Sequence, residues 1–413
     1  MATLSPLLRQ ATPVVVDHAR GCEVFDAEGR RYLDFTAGIG VTSTGHCHPR
    51  VVAAAQEQVG KLIHGQYTTV MHPPLQELVR SLGQVLPPGL DSVFFANSGS
   101  EAVEAALRLA RQATGRPNVI TFHGGFHGRT VATASMTSSG TRFSAGISPL
   151  MGGVHVAPFP TAYRYGWSEE EATRFALQEL DYMFATLSAP NETAAFVVEP
   201  VLGEGGYIPG NTAFFQGLRE RADEHGILLI LDEIQTGFGR TGRFFGHEHF
   251  DVRPDVITIA KGLASGFPLS GMATSQELME KAWPGSQGGT YGGNAVACAA
   301  AKATLDVIAE EHLVENAAER GEQLLSGARE RAVAGIGDVR GLGLMVGSEF
   351  TTADGKPDPQ RASAAQKLAA QKGLLMLTCG AYMNTVRMIP PLVITAEEVD
   401  EGLNIWSETL AEV

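Results

Sequence analysis

The chain has 413 residues, of which 44% are hydrophobic, and it carries a formal net charge of −14. This length and composition allow a large buried core and exclude collagen-like and low-complexity chains. The acidic balance, without a long basic run, argues against nucleic acid as a partner.

The sequence does not predict a membrane protein. No segment reaches the roughly 20 consecutive apolar residues of a transmembrane helix. Residues 1–16 lack the basic start and the long apolar stretch of a signal peptide. We therefore expect a cytoplasmic protein. The four cysteines are scattered without a C-x-x-C pair, so neither a disulfide framework nor a thiolate metal site is expected.

Short strands joined by a turn are predicted near the N-terminus, at residues 22–26 and 31–35. Beyond them, five apolar runs that end on polar or glycine-rich residues dominate the middle of the chain. These runs lie at residues 93–95, 119–122, 196–198, 227–231 and 256–260, with helical stretches such as 100–112 and 212–225 between them. Alternating strands and helices predict an α/β fold with a mostly parallel sheet covered by helices on both faces. Because each run ends on polar chemistry, we expect one active site along one edge of this sheet.

A helix is predicted to begin at Ser98-Gly99-Ser100. Its apolar residues follow helical spacing, at Ala102, Val103, Ala106, Leu107 and Ala110. Free N–H groups, a hydroxyl and the positive end of the helix dipole suit a phosphate at this N-terminus. An ordinary serine N-cap is the alternative, and the pattern does not decide between the two.

Phe126 and two histidines follow the second apolar run. The aromatic ring of Phe126 is a candidate to lie flat on a cofactor ring. His123 and His127 are four positions apart, as in zinc-binding helices, but Gly124 and Gly125 between them disfavour a helix. Since no third ligand is evident, we expect no metal site.

Lys261 and Asp232 end two neighbouring apolar runs. A lysine at this point has left the sheet core and enters the crevice where open α/β sheets bind ligands. An amine that forms a Schiff base and a carboxylate that keeps a pyridine nitrogen protonated are the groups that a pyridoxal phosphate (PLP) enzyme needs. Each residue alone also fits an ordinary strand end, so the prediction depends on the surrounding motifs.

Arg129 and Arg387 are candidates to bind substrate carboxylates. Arg387 is a single charge within an apolar strand at residues 385–389, and such a charge is costly to bury unless it is paired or faces a ligand. Guanidinium groups match carboxylates bidentately. A structural salt bridge is the alternative for each arginine. Glu204 is the expected partner for one of them when substrate is absent.

The character of the chain changes after about residue 300. Long helices are predicted at residues 294–312 and 313–333, short strands near 342–350 and 386–389, and an exposed loop at 351–363. We predict that residues 46–300 form a large domain, and that residues 1–45 and 301–413 form a smaller α+β domain.

These motifs resemble the class III aminotransferases, which are PLP enzymes of fold type I. The resemblance runs from residue 35 to residue 391 and is most specific at residues 231–242, 260–262 and 289–294. It implies that Lys261 binds PLP covalently and moves a proton between substrate and cofactor, and that Asp232 pairs with the pyridinium nitrogen. It places Gln235 at the ring hydroxyl and Phe126 on the ring. The remaining implied cofactor-binding positions are Ser98, Gly99, Ser100, His127, Glu199 and Thr290.

Thr290 carries a further implication of the resemblance. In this family the corresponding residue reaches the phosphate bound by the neighbouring subunit, which implies a homodimer with shared active sites. Whether two dimers pair into a tetramer stays open. From the sequence pattern alone, Thr290 is a turn residue.

Within the class, residues 126–130 are similar to the 4-aminobutyrate type. The resemblance implies that Arg129 binds the carboxylate remote from the reacting amine. It also implies that Glu204 pairs with Arg387 when an ω-amino acid is bound and releases Arg387 to the α-carboxylate of glutamate or 2-oxoglutarate. Leu202 departs from the glutamine that is common there, which leaves the chain length of the donor open.

We therefore predict an aminotransferase that moves the amino group of an ω-amino acid to 2-oxoglutarate by way of pyridoxamine phosphate, giving a semialdehyde and glutamate. The expected donor is 4-aminobutyrate or a longer chain, such as 5-aminovalerate or 6-aminohexanoate. The alternatives are an ornithine or acetylornithine aminotransferase, and a PLP-dependent racemase or decarboxylase of the same fold. A non-enzymatic PLP-binding role is disfavoured because the full set of site residues is present.

Overall fold

A computed structural model describes residues 2–413. The strands in chain order are β1 (Val16–Arg20), β2 (Glu23–Asp26), β3 (Arg31–Asp34), β4 (Ser92–Ala96), β5 (Asn118–Phe122), β6 (Val154–Ala157), β7 (Thr193–Val198), β8 (Val201–Leu202), β9 (Ile208–Pro209), β10 (Leu228–Asp232), β11 (Val256–Ile259), β12 (Ser270–Thr274), β13 (Ile336–Leu342), β14 (Met345–Phe350), β15 (Leu374–Leu375), β16 (Leu377–Cys379) and β17 (Thr385–Met388).

The α-helices in chain order are α1 (Ala37–Gly40), α2 (Pro49–Val59), α3 (Pro73–Leu82), α4 (Gly99–Thr114), α5 (Val131–Met136), α6 (Ala162–Tyr165), α7 (Glu169–Thr186), α8 (Thr212–His225), α9 (Gln276–Glu280), α10 (Ala295–Glu310), α11 (Leu313–Glu330), α12 (Pro359–Gln371) and α13 (Ala396–Glu412). Within residues 2–413, no helix is long and apolar enough to cross a membrane.

The central sheet has seven strands in the order β4-β12-β11-β10-β7-β5-β6. The pairs within β11-β10-β7-β5-β6 are parallel, and β12 runs antiparallel to both of its neighbours, β4 and β11. The register places Ile230 opposite Val197 on one side and Val256 on the other. The mostly parallel sheet predicted from the alternation of strands and helices is therefore confirmed.

Helices cover both faces of this sheet. Ile230 and Val256 pack with the buried side of α4, whereas Leu231 and Ile257, the next residues along the same strands, pack in the cluster that includes α8. Successive side chains of a strand point to opposite faces, so the strands are buried on both sides. Each large apolar side chain that is fully buried in this way contributes about 1.5–3 kcal/mol relative to an exposed one.

Two smaller sheets flank the central one. In the first, β1, β2 and β3 form antiparallel pairs near the N-terminus, and β15 from the C-terminal part of the chain joins β3 in parallel. The second is antiparallel throughout, with the order β13-β14-β17-β16. The pairing of β3 with β15 agrees with a small domain built from both ends of the chain, although the domain boundaries at residues 46–300 stay a prediction.

The predicted exposed loop at residues 351–363 is wrong in its second half. Helix α12 begins at Pro359, inside that range. Asp358 caps the helix by accepting a hydrogen bond from the backbone N–H of Arg361 at 2.9 Å. Proline at the first helical position loses no intrahelical bond, so Asp-Pro is a start signal for a helix here and not a loop signal.

Candidate active site

A cavity of about 380 Å³ lies beyond the carboxyl ends of the parallel strands. The segments after β4, β5, β7, β10 and β11 all contribute side chains to its wall. The predicted site residues that line it are Ser98, Gly99, Ser100, Phe126, His127, Arg129, Glu199, Glu204, Asp232, Gln235 and Lys261. The sheet edge therefore brings together residues that lie far apart in the sequence.

Lys261 follows β11 in a strained backbone conformation. Its φ is +43°, a value in the left-handed region that residues with a side chain rarely adopt. Burial lowers the pKa of Lys261 to about 8, against the opposing influence of the Glu204 carboxylate. A lysine with a depressed pKa has a larger neutral fraction near neutral pH, which makes it a better nucleophile.

Asp232 is buried at the end of β10, with 3% of its surface exposed. Its Oδ2 lies 2.8 Å from Nδ1 of His127, while its Oδ1 accepts hydrogen bonds from the Thr258 hydroxyl at 3.0 Å and the Ile234 N–H at 3.2 Å. Burial favours neutral imidazole, but the hydrogen bond and charge of Asp232 leave the pKa of His127 above its ordinary value. The histidine thus acts as a donor that fixes the orientation of the Asp232 carboxylate.

Helix α4 begins at the cavity with a capping box. The Ser98 hydroxyl accepts from the Glu101 N–H at 3.3 Å, and the Glu101 carboxylate accepts from the Ser98 N–H at 2.8 Å. The expected N-cap is therefore present, and it leaves Gly99 and Ser100 as the first helical residues. A β-carbon at Gly128 would collide with the Ser100 hydroxyl, so the backbone after β5 approaches this helix start closely.

Glu199 lies buried behind Phe126. Its carboxylate accepts the backbone N–H of Phe126 at 2.8 Å and that of Gly203 at 2.9 Å. Burial raises the pKa of Glu199 to about 7, although His127 and both N–H donors favour the charged form. Glu199 thus ties the loop that carries Phe126 to the loop that carries Gly203.

Gln235 offers a free acceptor to the cavity. Among residues 2–413, its buried Oε1 has no hydrogen-bond partner. Buried polar atoms are normally satisfied, so an unsatisfied one in a cavity wall indicates a place for a ligand donor.

Arg387 and Glu204 form a buried ion pair. Arg387 stands on β17, and its Nη1 lies 2.6 Å from Glu204 Oε1. Burial alone raises the pKa of Glu204, but the guanidinium of Arg387 leaves it below the ordinary value. For Arg387 burial alone lowers the pKa, and the Glu204 carboxylate leaves it above the ordinary value. The pair is thus charged, and Arg387 is neutralised by a residue that itself faces the cavity.

Arg129 lies at the mouth of the cavity. Its backbone N–H donates to the Ser100 hydroxyl at 3.2 Å, and its guanidinium lies 4.8 Å from the centre of the Phe143 ring. Phe143 in turn packs edge-on against Phe126, with 4.9 Å between the ring centres. This aromatic support fixes an exposed arginine at one end of the cavity.

The family model for class III aminotransferases matches residues 7–410. The chain belongs to this family. It is 42% identical to the 5-aminovalerate aminotransferase DavT of Pseudomonas aeruginosa, over 98% of this chain and 95% of that protein. It is equally 42% identical to the 4-aminobutyrate aminotransferase GabT of Escherichia coli K12, with the same shares covered.

The fold of this aminotransferase matches solved transaminases. An amine transaminase of an uncultivated Pseudomonas species, in its PLP-bound form, superimposes with a TM-score of 0.93 at 31% identity, covering 100% of this chain and 99% of the other. These comparisons confirm the predicted class III family, the fold type I architecture, the transaminase activity and PLP as the cofactor.

The residues of this aminotransferase fit PLP chemically. The cavity offers an amine at Lys261 and a buried carboxylate at Asp232, and among residues 2–413 it leaves an acceptor on Gln235 free. The start of α4 at Gly99 and Ser100 adds N–H donors and the positive end of a helix dipole for a phosphate. Each of these groups has a matching atom on PLP.

Thr290 and Arg387 do not line this cavity. Thr290 is exposed in the turn before α10. Arg387 is linked to the cavity through Glu204. The single subunit of this aminotransferase therefore leaves the predicted role of Thr290 untested.

Several residues near the site of this aminotransferase were not predicted from the sequence. The segment 266–269 lines the cavity, and Phe143 supports Arg129. Arg142, next to Phe143, lies 3.9 Å from Glu204. The local signal for Arg142 was its position beside Phe143, just after Gly140. Nothing in the sequence around this turn indicates a contact with Glu204.

Proposed function

We propose that this enzyme transfers the amino group of an ω-amino acid to 2-oxoglutarate, giving a semialdehyde and glutamate. The observation that carries the proposal is the Glu204–Arg387 pair, with Arg129 as a second cation at the mouth of the cavity. An enzyme that uses both a monocarboxylate donor and a dicarboxylate acceptor needs one permanent carboxylate site and one that can be closed. The names of the two relatives, which act on 5-aminovalerate and 4-aminobutyrate, agree with such donors.

Arg129 is the permanent site in this proposal. It binds the carboxylate remote from the reacting amine, in the donor and in 2-oxoglutarate alike, because a guanidinium matches a carboxylate with two parallel hydrogen bonds. Arg387 is the carboxylate site that can be blocked. Glu204 neutralises it when an ω-amino acid is bound, and yields it to the α-carboxylate of glutamate or 2-oxoglutarate.

Bound PLP supplies an electron sink and carries the amino group between the two half-reactions. Lys261 would hold the cofactor covalently through its amine and would move a proton at the substrate carbon that bears the amino group. Asp232, supported by His127, keeps the pyridine nitrogen protonated. Gln235 accepts from the ring hydroxyl.

The other cofactor contacts hold the ring and the phosphate. Phe126 stacks on the ring, and Glu199 fixes the loop that carries Phe126. Ser98, Gly99 and Ser100 bind the phosphate at the start of α4.

We also propose that two chains form a homodimer with shared active sites. Thr290 of each chain would bind the phosphate in the partner's cavity. In support, large apolar side chains stand exposed on this chain, among them Ile63 at 62% and Tyr291, next to Thr290, at 63%. A tetramer of paired dimers is compatible with this arrangement. The cytoplasmic location and the boundaries of the large domain at residues 46–300 stay predictions from the sequence.

Requirement for a keto acid tests the proposed reaction directly. The holoenzyme should form glutamate from 2-oxoglutarate with 4-aminobutyrate, 5-aminovalerate or 6-aminohexanoate as donor, and should release no product from these donors without the keto acid. Racemisation of alanine or release of carbon dioxide without any keto acid would instead establish a racemase or a decarboxylase. Lys261→Ala should abolish turnover, with the exposed Lys281→Ala as the matched control.

A further inference from the structure

Glu204 loses its neutralising partner when Arg387 binds an α-carboxylate. Only 17% of its side chain is exposed. A carboxylate in such a place is costly to leave without a counter-charge. Moreover, the incoming α-carboxylate brings a second negative charge to the same region. Opening the Arg387 site therefore requires another cation close to Glu204.

Two cations besides Arg387 lower the pKa of Glu204, namely Lys261 and Arg142. Lys261 is the residue that binds the cofactor, so Arg142 is the candidate for this role. Its Nη2 lies 3.9 Å from Oε2 of Glu204, whereas Arg387 contacts the other oxygen, Oε1, at 2.6 Å. The two arginines thus flank the Glu204 carboxylate. Because each arginine lies next to a different oxygen, a change in the orientation of the carboxylate can lengthen one contact while it shortens the other.

Neighbouring residues of the same turn hold the guanidinium of Arg142 in place. Its guanidinium lies 4.4 Å from the centre of the Phe143 ring, and a β-carbon at Gly140 would collide with its Nη1. The glycine therefore leaves the space that the side chain occupies. Burial lowers the pKa of Arg142, while the Glu204 carboxylate opposes that shift. The side chain of Arg142 is 35% exposed, so solvent stabilises its charge before the guanidinium makes a closer contact with Glu204.

We propose that Arg142 is a positioning residue that receives Glu204 when Arg387 turns to the α-carboxylate of the dicarboxylate substrate. This inference rests on the proposed function, in which Glu204 opens and closes the Arg387 site. The charged group that Arg142 approaches is the Glu204 carboxylate, at 3.9 Å, so we assign it an action through Glu204 and not on substrate. Its loss should accordingly affect dicarboxylate binding and leave monocarboxylate binding unchanged.

Calorimetry on the holoenzyme with two non-reacting probes tests this role. Glutarate presents two carboxylates and requires the open Arg387 site, whereas valerate presents one and requires only Arg129. Arg142→Met should weaken glutarate binding by about 3- to 10-fold, the range of a partly buried ion pair, and change valerate binding by less than about twofold. Arg142→Lys keeps the charge and should recover most of the loss.

A double substitution separates action through Glu204 from direct contact with the ligand. In a Glu204→Gln background there is no negative charge to receive, so adding Arg142→Met should no longer weaken glutarate binding. Persistence of the effect in that background would overturn the proposal. Equal weakening of glutarate and valerate would also overturn it, because Arg142 would then bind the distal carboxylate. An unchanged glutarate affinity in Arg142→Met would also overturn it, because Arg142 would then have no part in opening the Arg387 site.

A different result would contradict the proposed function. If the wild-type enzyme converts no ω-amino acid with 2-oxoglutarate, the two-substrate assignment is wrong whatever Arg142 does. If the wild-type enzyme converts ω-amino acids but Arg142→Met binds glutarate normally, only the role of Arg142 is wrong. Equal melting temperatures and equal PLP absorption in the variants serve as the folding control.

Discussion

Arg387 and Glu204 are 183 positions apart in the sequence and 2.6 Å apart in the structure. Arg387 belongs to β17 of the small antiparallel sheet, whereas Glu204 lies in the loop after β8, beyond the end of β7 in the central sheet. The ion pair therefore joins two sheets as well as neutralising a buried guanidinium. Any ligand that competes for Arg387 must break a contact between the two parts of the fold.

Glu204→Gln should shift the enzyme towards dicarboxylates. A neutral amide holds a guanidinium less strongly than a carboxylate does, so Arg387 becomes available. We expect the KM for 2-oxoglutarate to fall by roughly 3- to 10-fold. The kcat/KM for 4-aminobutyrate should fall, because its carboxylate can now bind Arg387 in a non-productive orientation. Asp181→Asn, which breaks an ion pair with Arg221 between α7 and α8 and away from the cavity, is the control. A parallel fall of kcat/KM for both substrates would contradict the switch.

Arg129→Lys should weaken both substrates together. Lysine keeps the charge but loses the bidentate geometry, so we expect the KM for ω-donors and for 2-oxoglutarate to rise by roughly tenfold each. Steady-state kinetics with each substrate varied in turn measures this. The exposed Arg174→Lys is the matched control. An effect on the donor alone would mean that Arg129 does not hold the distal carboxylate of 2-oxoglutarate.

The sequence predicts the parts of this site that depend on local signals. Lys261 and Asp232 each follow an apolar run, and the end of a strand is visible from those few residues. The predicted helix at residues 212–225 has the observed bounds of α8. Asn211 caps its start, and Gly226, with φ of +61°, ends it, so both limits are encoded next to the helix.

Other parts depend on contacts between distant segments. Strand β12 contains mainly small and polar residues, with Met272 as its one large apolar side chain. Its antiparallel place between β4 and β11 comes from pairing with strands elsewhere in the chain. The hydrogen bond between His127 and Asp232 spans 105 positions. Nothing in the sequence near His127 indicates a contact with Asp232, and the same holds for Arg142 and its approach to Glu204.

Incorporation of PLP into the apoenzyme should depend on pH near 8. Burial lowers the pKa of Lys261 from 10.5 to about 8, and only the neutral amine attacks an aldehyde. The rate should therefore rise with pH and level off above about pH 8–9, since about a tenth of the amine is neutral at pH 7. Stopped-flow absorbance measures the rate, with N-acetyl-lysine as the unperturbed reference. A rate that rises to pH 10 as the reference does would contradict the buried environment.

Asp232→Asn should lower kcat strongly without loss of bound PLP. An amide cannot keep the pyridine nitrogen protonated, so we expect a loss of roughly 10²- to 10⁴-fold in kcat. Thr258→Val removes only one hydrogen bond to the carboxylate and should cost less than about tenfold. Both variants should retain PLP by absorbance after gel filtration. A kcat for Asp232→Asn similar to that of Thr258→Val would contradict the assigned role of Asp232.

The visible absorption of the holoenzyme with single donors, in the absence of any keto acid, tests the central claim most directly. The panel comprises β-alanine, 4-aminobutyrate, 5-aminovalerate, 6-aminohexanoate, ornithine and alanine. We predict that at least one ω-amino acid removes the band of PLP bound to Lys261, and that 2-oxoglutarate restores it. The donor that acts fastest identifies the preferred chain length. A band that no ω-amino acid removes, or that 2-oxoglutarate fails to restore, would contradict the assignment as an ω-amino acid aminotransferase.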